Sequence, residues 1–250
     1  MSDIYDKVKI SVVMARVLAL SIGDLFSRPM LILSLVMSLV AIAFWSVVYL
    51  LFHTVLSGFA HDLIAYVPFA TASWIENVAS MVLLISMFYQ FVLVSVVIGL
   101  GFFARQIVVQ INDKHYHQQL DGYAGMLDLF LAALKSGTLF LLLYLLLLPT
   151  LFIPGINVAI HLVLWAVLLR GSLLPYSAGL VVDKVEYAEL AREHRWGLVV
   201  ISLLLAVLYI IPVIGVFAAV FQLIVVAHYS LTRISGAQSS SQATPEQSQG

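Results

Sequence analysis

Four long intervals of the chain contain no Asp, Glu, Lys or Arg, and they constrain the fold more than any other feature. A helix needs about 20 apolar residues to cross a hydrocarbon core about 30 Å thick. Only 10% of all residues are charged and 62% are apolar. In soluble domains about 25% of the residues are charged and about 45–50% are apolar. The sequence therefore predicts an all-α integral membrane protein embedded in a lipid bilayer. The intervals are 29–61, 77–104, 136–169 and 196–232.

The first two intervals each fit one long transmembrane helix. Backbone groups cannot stay unpaired in lipid, so an open-ended apolar segment must be helical. Met30 to Phe52 is long enough for one span, and Val78 to Ala104 is long enough to tilt or to extend beyond the bilayer. We therefore expect two long transmembrane helices at 30–52 and 78–104.

The third and fourth intervals are longer than one span, and each is broken near its middle by proline. Pro154 is followed by Gly155 and Asn157, and Pro212 is followed by Gly215. Proline stops a helix, which leaves pieces of about 13–17 residues, or about 20–25 Å, on either side. These pieces are shorter than the hydrocarbon core. The pattern favours two half-penetrating helical hairpins, at 136–170 and 196–232, over the alternative of two short complete spans in each interval.

The basic residues indicate how the chain is oriented. All twelve Lys and Arg residues fall outside the loop 53–76, which puts them on one side of the bilayer if each hairpin returns to the side it left. The positive-inside rule makes that side cytoplasmic, together with both chain ends. Residues 1–28 read as an amphipathic interfacial helix, with an apolar stripe that includes Val17 and Leu20. We expect one membrane domain, 1–234, and a disordered polar tail, 235–250.

The hairpin turns suggest a place for an anion. A turn within the membrane directs the N-terminus of the following half-helix inward, where free N–H groups and the helix dipole favour negative charge. Asn157 and Gly215 would lie near those N-termini, with Gly155 in the turn. The alternative, a compact helical reversal that binds nothing, is equally open at this stage.

The sequence offers little other chemistry. It lacks cysteine and shows none of the common hydrolase, nucleotide-binding or zinc-protease motifs, so we expect no enzyme, cofactor or metal site. His115 and His117 are two apart, which splays them across a helix instead of placing them on one face. His161 lies inside the first hairpin, where an ionisable residue is a candidate for a role in permeation. His228 and Arg170 are expected to snorkel to the headgroups. A net charge of −1 argues against nucleic acid as a partner.

The first hairpin, the charged connector and the second hairpin together resemble the CysZ-type sulfate permeases, whose broader family includes etoposide-induced membrane proteins. The element Ile153-Pro154-Gly155-Ile156, with Trp165 nine residues after Ile156, carries the resemblance, as does the Ile211-Pro212 turn after the connector 183–195. The resemblance covers about residues 10–232. It implies two long spans with half-penetrating hairpins, and sulfate uptake across a bacterial inner membrane.

The chain departs from these permeases in two places where the family binds its anion. Ile32 and Leu33 stand where basic residues follow the first-span proline, and Gly101 to Gln106 contains no proline. The nearby arginines, Arg28 and Arg105, are therefore the candidates for anion binding. We expect an anion permease or channel, and the alternative is a membrane-embedded structural or assembly protein without a substrate.

Small residues at four-residue spacing in both spans suit close helix packing, either within one chain or in a homo-oligomer. The pairs are Ser34 with Ser38 and Ser95 with Gly99.

Overall fold

The computed structural model describes residues 15–65, 73–120, 122–148, 150, 153, 155–193 and 195–242, and this part of the chain folds into eight α-helices. In chain order they are α1 (15–25), α2 (Arg28–Ala65), α3 (Ser73–His115), α4 (Met126–Leu147), α5 (Ile156–Ser177), α6 (Lys184–Glu193), α7 (Arg195–Ala206) and α8 (Pro212–Gln242). Short 3-10 turns follow α5, at Ala178–Leu180, and α7, at Val207–Ile210.

Four of these helices, α2 to α5, are long and apolar enough to cross a membrane. This confirms an all-helical, multi-pass membrane protein. Many large apolar side chains of α2 point outward, as expected where lipid is the solvent. Two shorter apolar helices, Val199–Ile210 and Phe217–Thr232, lie in the region where the second hairpin was predicted.

Both long helices extend well beyond the spans expected from the charge-free intervals. α2 has 38 residues and α3 has 43, against the predicted 30–52 and 78–104. The predicted end of the first span, Phe52, coincides with a local break, because its backbone (φ −118°, ψ 16°) leaves the helical region. Beyond that break the chain stays helical and buries Ala60 and Ile64 in the core. Packing between the two helices therefore extends them past the apolar segments.

The helices in the two predicted hairpin regions also extend beyond the predicted bounds. α4 and α5 have 22 residues each. α4 begins before the predicted region and includes Asp128 and Lys135, and α5 continues past Arg170, because charged residues do not end either helix. By length alone each of these two helices could span the bilayer, whereas α7 with its turn is shorter. α8 continues through Gln242. The tail expected to be disordered from residue 235 is therefore helical to 242, and 243–250 lie outside the described residues.

The N-terminal amphipathic segment is helical from residue 15, and the earlier part of the predicted stripe lies outside the described residues. The inward face of α1 carries Val17, Ser21 and Asp24, and Val17 packs on Leu174 and neighbouring residues of the hairpins. The opposite face exposes a second apolar stripe to the surroundings. It consists of Leu18 and Ile22, and Phe26 in the turn after α1 is exposed as well.

α3 lies at the centre of the molecule and packs against α2, α4, α5 and α8. The small residues noted in the sequence serve this internal packing. Ser95 accepts a hydrogen bond from Trp45 Nε1 (2.8 Å), and a Cβ at Gly99 would collide with Met37. α3 therefore brings together side chains from the whole fold, and both polar regions described below lie along it.

Candidate functional site

A cavity of about 250 Å³ lies where the middle of α3 meets the first turns of α5 and the 3-10 turn after α7. We call it the hairpin cavity, because both hairpins contribute to its wall. The residues that line it include Tyr89, Gln90, Asn157, His161, Trp165 and Tyr209.

Gln90 and His161 form the polar pair of the hairpin cavity. The Gln90 side-chain nitrogen lies 2.8 Å from His161 Nε2, and the imidazole also bonds to the backbone of Asn157. Gln90 is only 3% exposed, and its Oε1 is buried without a partner among the described groups. Since leaving a buried polar atom unpaired costs about 1–3 kcal/mol, this amide is ready to bond a ligand or a water.

Trp165 contributes the second unpaired group of the hairpin cavity. Its indole is 1% exposed and stacks on the Tyr209 ring, with centroids 3.9 Å apart and planes 6° apart. The Trp165 Nε1–H is buried and has no acceptor among the described residues. Buried polar groups in native proteins are nearly always bonded, so two lining residues with unpaired polar atoms make the hairpin cavity a candidate binding site.

The turn between α7 and α8 is held against α3 by hydroxyl and amide groups. Tyr89 Oη donates to the Tyr209 carbonyl (2.9 Å), and Tyr209 Oη donates to Gln222 Oε1 (3.0 Å). A Cβ at Gly215 would collide with Tyr89 Oη. Gly215 is therefore needed where the second hairpin approaches the wall of the cavity.

The structure gives the predicted turn residues different positions relative to the hairpin cavity. Asn157 lines it, and Gly155, which precedes α5, has a positive φ of 82° that suits glycine. The backbone N–H of Asn157 donates to the Ile153 carbonyl (3.1 Å), and the backbone N–H of Gly215 donates to the Ile211 carbonyl (2.8 Å). The backbone N–H groups of Asn157 and Gly215 are thus already bonded within their own turns.

The two candidate arginines lie away from the hairpin cavity. Arg28 is exposed at the first turn of α2, and Arg105 is exposed beside a separate cavity of about 30 Å³. Arg105 follows Gln90 on α3 by about 15 residues, or about 22 Å along the helix. The structure therefore does not bring either arginine together with the turn residues.

A second polar region lies at the far end of α3, and we call it the Asp24 cluster: Asp24, Lys114, His115, Tyr116 and His228. Asp24 Oδ1 accepts from Lys114 Nζ (2.6 Å), and Oδ2 lies 3.0 Å from His115 Nε2 and 2.9 Å from His228 Nε2. Tyr116 Oη lies 2.9 Å from His228 Nδ1. Burial opposes the ionised carboxylate, but the hydrogen bonds from these three partners outweigh it and hold the pKa of Asp24 below its usual value.

The Asp24 cluster differs from what the sequence suggested. His228 was expected to snorkel, yet it is fully buried. The spacing of His115 and His117 predicted no metal site between them, whereas the structure groups His115 with Asp24 and His228. Asp24 is 91 residues from His115 and 204 residues from His228, so no local spacing could have shown this group. Gln90 did have a signal, as an amide in the middle of an apolar span.

The comparisons with known proteins identify a family. The model of the family described as "Sulfate transporter CysZ/Etoposide-induced protein 2.4" matches residues 17–219, which is most of the chain. A comparison with curated proteins finds no match, and neither does a comparison with solved structures.

Proposed function

Because the chain belongs to the family of sulfate transporter CysZ and etoposide-induced protein 2.4, we propose that it is a membrane permease or channel for a small inorganic anion. Sulfate or a related sulfur oxyanion, taken up for sulfur assimilation, is the substrate. The observation that carries the proposal is the buried Trp165 N–H, a donor that has no acceptor among the described residues and belongs to a side chain that lines the hairpin cavity.

The chemistry of the hairpin cavity suits an oxyanion that must also leave again. The indole N–H is a donor only, and the Gln90 NH₂, which bonds His161 Nε2 with one N–H, has a second N–H to offer. Neutral donors hold an oxyanion without a buried lysine or arginine, which keeps the binding weak enough for release. Asn157 adds a further amide to the wall. Gly155 and Gly215 shape the turns that bring these groups together.

The exposed arginines have a different role in this proposal. Arg28 and Arg105 are positive charges outside the cavity, and they raise the local concentration of anions near the protein. Their effect would be screened by salt, because both side chains are exposed.

We also propose a topology in a bacterial inner membrane, with both chain ends in the cytoplasm. α2 and α3 cross the bilayer, and the two hairpins enter from the cytoplasmic side and return. The exposed side chain of Lys135 supports a half-penetrating first hairpin. It precedes the end of α4 by about 12 residues, or about 18 Å, so full penetration would draw this charge into a core about 30 Å thick.

The test is sulfate uptake into proteoliposomes that contain the purified protein, with sulfite and thiosulfate as competitors. Trp165→Phe should lower uptake about tenfold, since a hydrogen bond to a charged group contributes about 1.5–3 kcal/mol. The matched control is Trp45→Phe, which also removes an indole N–H but acts on Ser95, away from the cavity. It should leave uptake unchanged, and Arg28→Ala and Arg105→Ala should reduce uptake most at low salt.

The second candidate is a membrane structural or assembly protein of the same family that transports nothing. It is the better interpretation if the wild-type protein takes up sulfate, sulfite and thiosulfate no faster than empty liposomes. Equal losses of uptake in Trp165→Phe and Trp45→Phe would instead show that the hairpin cavity is not the binding site.

A further inference from the structure

Three potential ligand atoms from three separate helices converge in the Asp24 cluster. Asp24 ends the inward face of α1, His115 is the last residue of α3, and His228 lies on α8. The ligand atoms lie within 4.8 Å of one another. Asp24 Oδ2 approaches both His Nε2 atoms, at 2.9 and 3.0 Å.

The burial of this group distinguishes it from an ordinary surface ion pair. Asp24 is 5% exposed, His228 is fully buried, and the His115 side chain is 20% exposed. Taking a carboxylate out of water costs several kcal/mol unless it gains strong partners. The buried Asp24 carboxylate therefore depends on the two imidazoles and Lys114 as its partners, unlike a carboxylate at the surface.

The donor set is the one that transition-metal ions prefer. Two imidazole nitrogens and one carboxylate oxygen form a frequent three-ligand site for Zn²⁺, which binds each donor at about 2.0–2.2 Å. Asp24 Oδ2 lies 3.0 and 2.9 Å from the two Nε2 atoms, and all three atoms lie within 4.8 Å of one another, so small side-chain movements would bring all three to those distances from one ion. We propose that Asp24, His115 and His228 bind a divalent transition-metal ion, Zn²⁺ above all.

The groups around the three ligands support the assignment. A metal-bound imidazole usually donates its other N–H to an acceptor, which fixes the ring. His228 has such an acceptor in Tyr116 Oη, 2.9 Å from its Nδ1. Tyr116 in turn lies 3.0 Å from Thr232 Oγ1. Lys114 bonds Asp24 Oδ1, which leaves Oδ2 as a monodentate ligand.

Metal binding requires only local changes of proton position. Without metal, the Nε2–H groups of His115 and His228 donate to Asp24 Oδ2. With metal, each neutral ring carries its proton on Nδ1, and the proton of His228 then points to Tyr116 Oη. The Lys114 charge opposes the ion, but its side chain is 57% exposed and can turn toward solvent. The three protein ligands leave a fourth position for water or an anion.

The experiment uses the full-length protein in detergent, treated with EDTA and then titrated with Zn²⁺ or Co²⁺. We expect one ion per chain, and with Co²⁺ the intense visible absorption of tetrahedral coordination. His115→Gln and His228→Gln should each weaken Zn²⁺ binding at least a hundredfold. Tyr116→Phe should weaken it about 10–100-fold, as loss of an outer partner does. His117→Asn, at an exposed neighbouring position, should bind like the wild type.

Clear outcomes would overturn the proposal. The proposal is wrong if wild-type protein binds no Zn²⁺ at micromolar concentration, or if His115→Gln binds it as tightly as the wild type. His115 is partly exposed, so its variant decides the matter even where a change at the buried His228 prevents folding. The Co²⁺ spectrum of the wild type is a second measurement that requires no variant.

Discussion

The hairpin cavity and the Asp24 cluster each contain a histidine in the interior of the fold, but the partners of these histidines differ in kind. His161 meets a neutral amide, that of Gln90, and the cavity keeps unpaired polar atoms. His228 meets a carboxylate, and its ring nitrogens bond Asp24 and Tyr116. Unpaired groups in a cavity suit a ligand that comes and goes, whereas a saturated ionic cluster suits a permanent structural role.

This difference also has an energetic side. Removing one partner from a saturated buried ion cluster leaves the others charged and unpaired, which costs more than the cluster itself contributes. Removing a group that has no protein partner takes away no internal hydrogen bond. Substitutions in the Asp24 cluster should therefore act mainly on stability, and loss of an unpaired group of the hairpin cavity, as in Trp165→Phe, mainly on transport.

The largest expected effect follows from Asp24→Asn, which keeps the shape of the side chain but removes its charge. We expect a loss of about 3 kcal/mol in the free energy of unfolding, at the lower end for a broken buried pair, because Lys114 and His115 are partly exposed. Thermal unfolding in detergent with EDTA measures the change. Asp62→Asn, at an exposed position, is the control and should shift stability by less than about 0.5 kcal/mol. Equal shifts in both variants would show that the cluster does not stabilise the fold.

Gly215→Ala comes second and tests the wall of the hairpin cavity. The new Cβ would meet Tyr89 Oη and push it from the Tyr209 carbonyl, so we expect a loss of about 2 kcal/mol from overpacking together with slower sulfate uptake. Gly58→Ala is the matched control, since nothing lies within 4 Å of its Cβ. That variant should be more stable by about 0.5–1 kcal/mol, as for an alanine in a helix. A stable, fully active Gly215→Ala protein would contradict the packing described here.

The smallest effect on stability, below about 1 kcal/mol, is expected from single cysteines that report where the two regions lie. The chain contains no cysteine, so Ile156→Cys and Gly23→Cys each carry one thiol. A membrane-impermeant maleimide should label Gly23→Cys, beside the Asp24 cluster, from the cytoplasmic side only. It should leave Ile156→Cys, at the tip of the first hairpin, unlabelled from either side. Labelling of Ile156→Cys from the outer side would favour complete spans.

The fold could be predicted from the sequence as far as local patterns reach. Charge-free intervals predicted the long helices α2 and α3, and the prolines predicted the turns before α5 and α8. The ends of the helices could not be predicted, because helices extend through charged residues such as Glu76 when they pack on one another. Hydropathy reports where lipid begins, whereas tertiary packing decides where a helix ends.

The candidate site was less predictable, because it depends on contacts between distant segments. The turn after Pro154 predicts Gly155 and Asn157 as site residues, and Asn157 does line the hairpin cavity. The sequence does not predict Gln90 and Trp165 as site residues, because only the packing of the surrounding helices leaves their polar atoms without a partner. The Asp24 cluster lies on three helices that are far apart in the chain, and no periodicity connects them.

The continuous course of α3 has a mechanical consequence. Gln90 and His115 are about 25 residues apart, which is almost seven full turns at 3.6 residues per turn. They therefore lie on nearly the same side of one rod, about 37 Å apart along its axis. A rotation of α3 about its axis would turn both side chains in the same direction, so the contact of Gln90 with His161 and the contact of His115 with Asp24 would change together. α3 thus couples the hairpin cavity and the Asp24 cluster mechanically, because one continuous helix contributes to both.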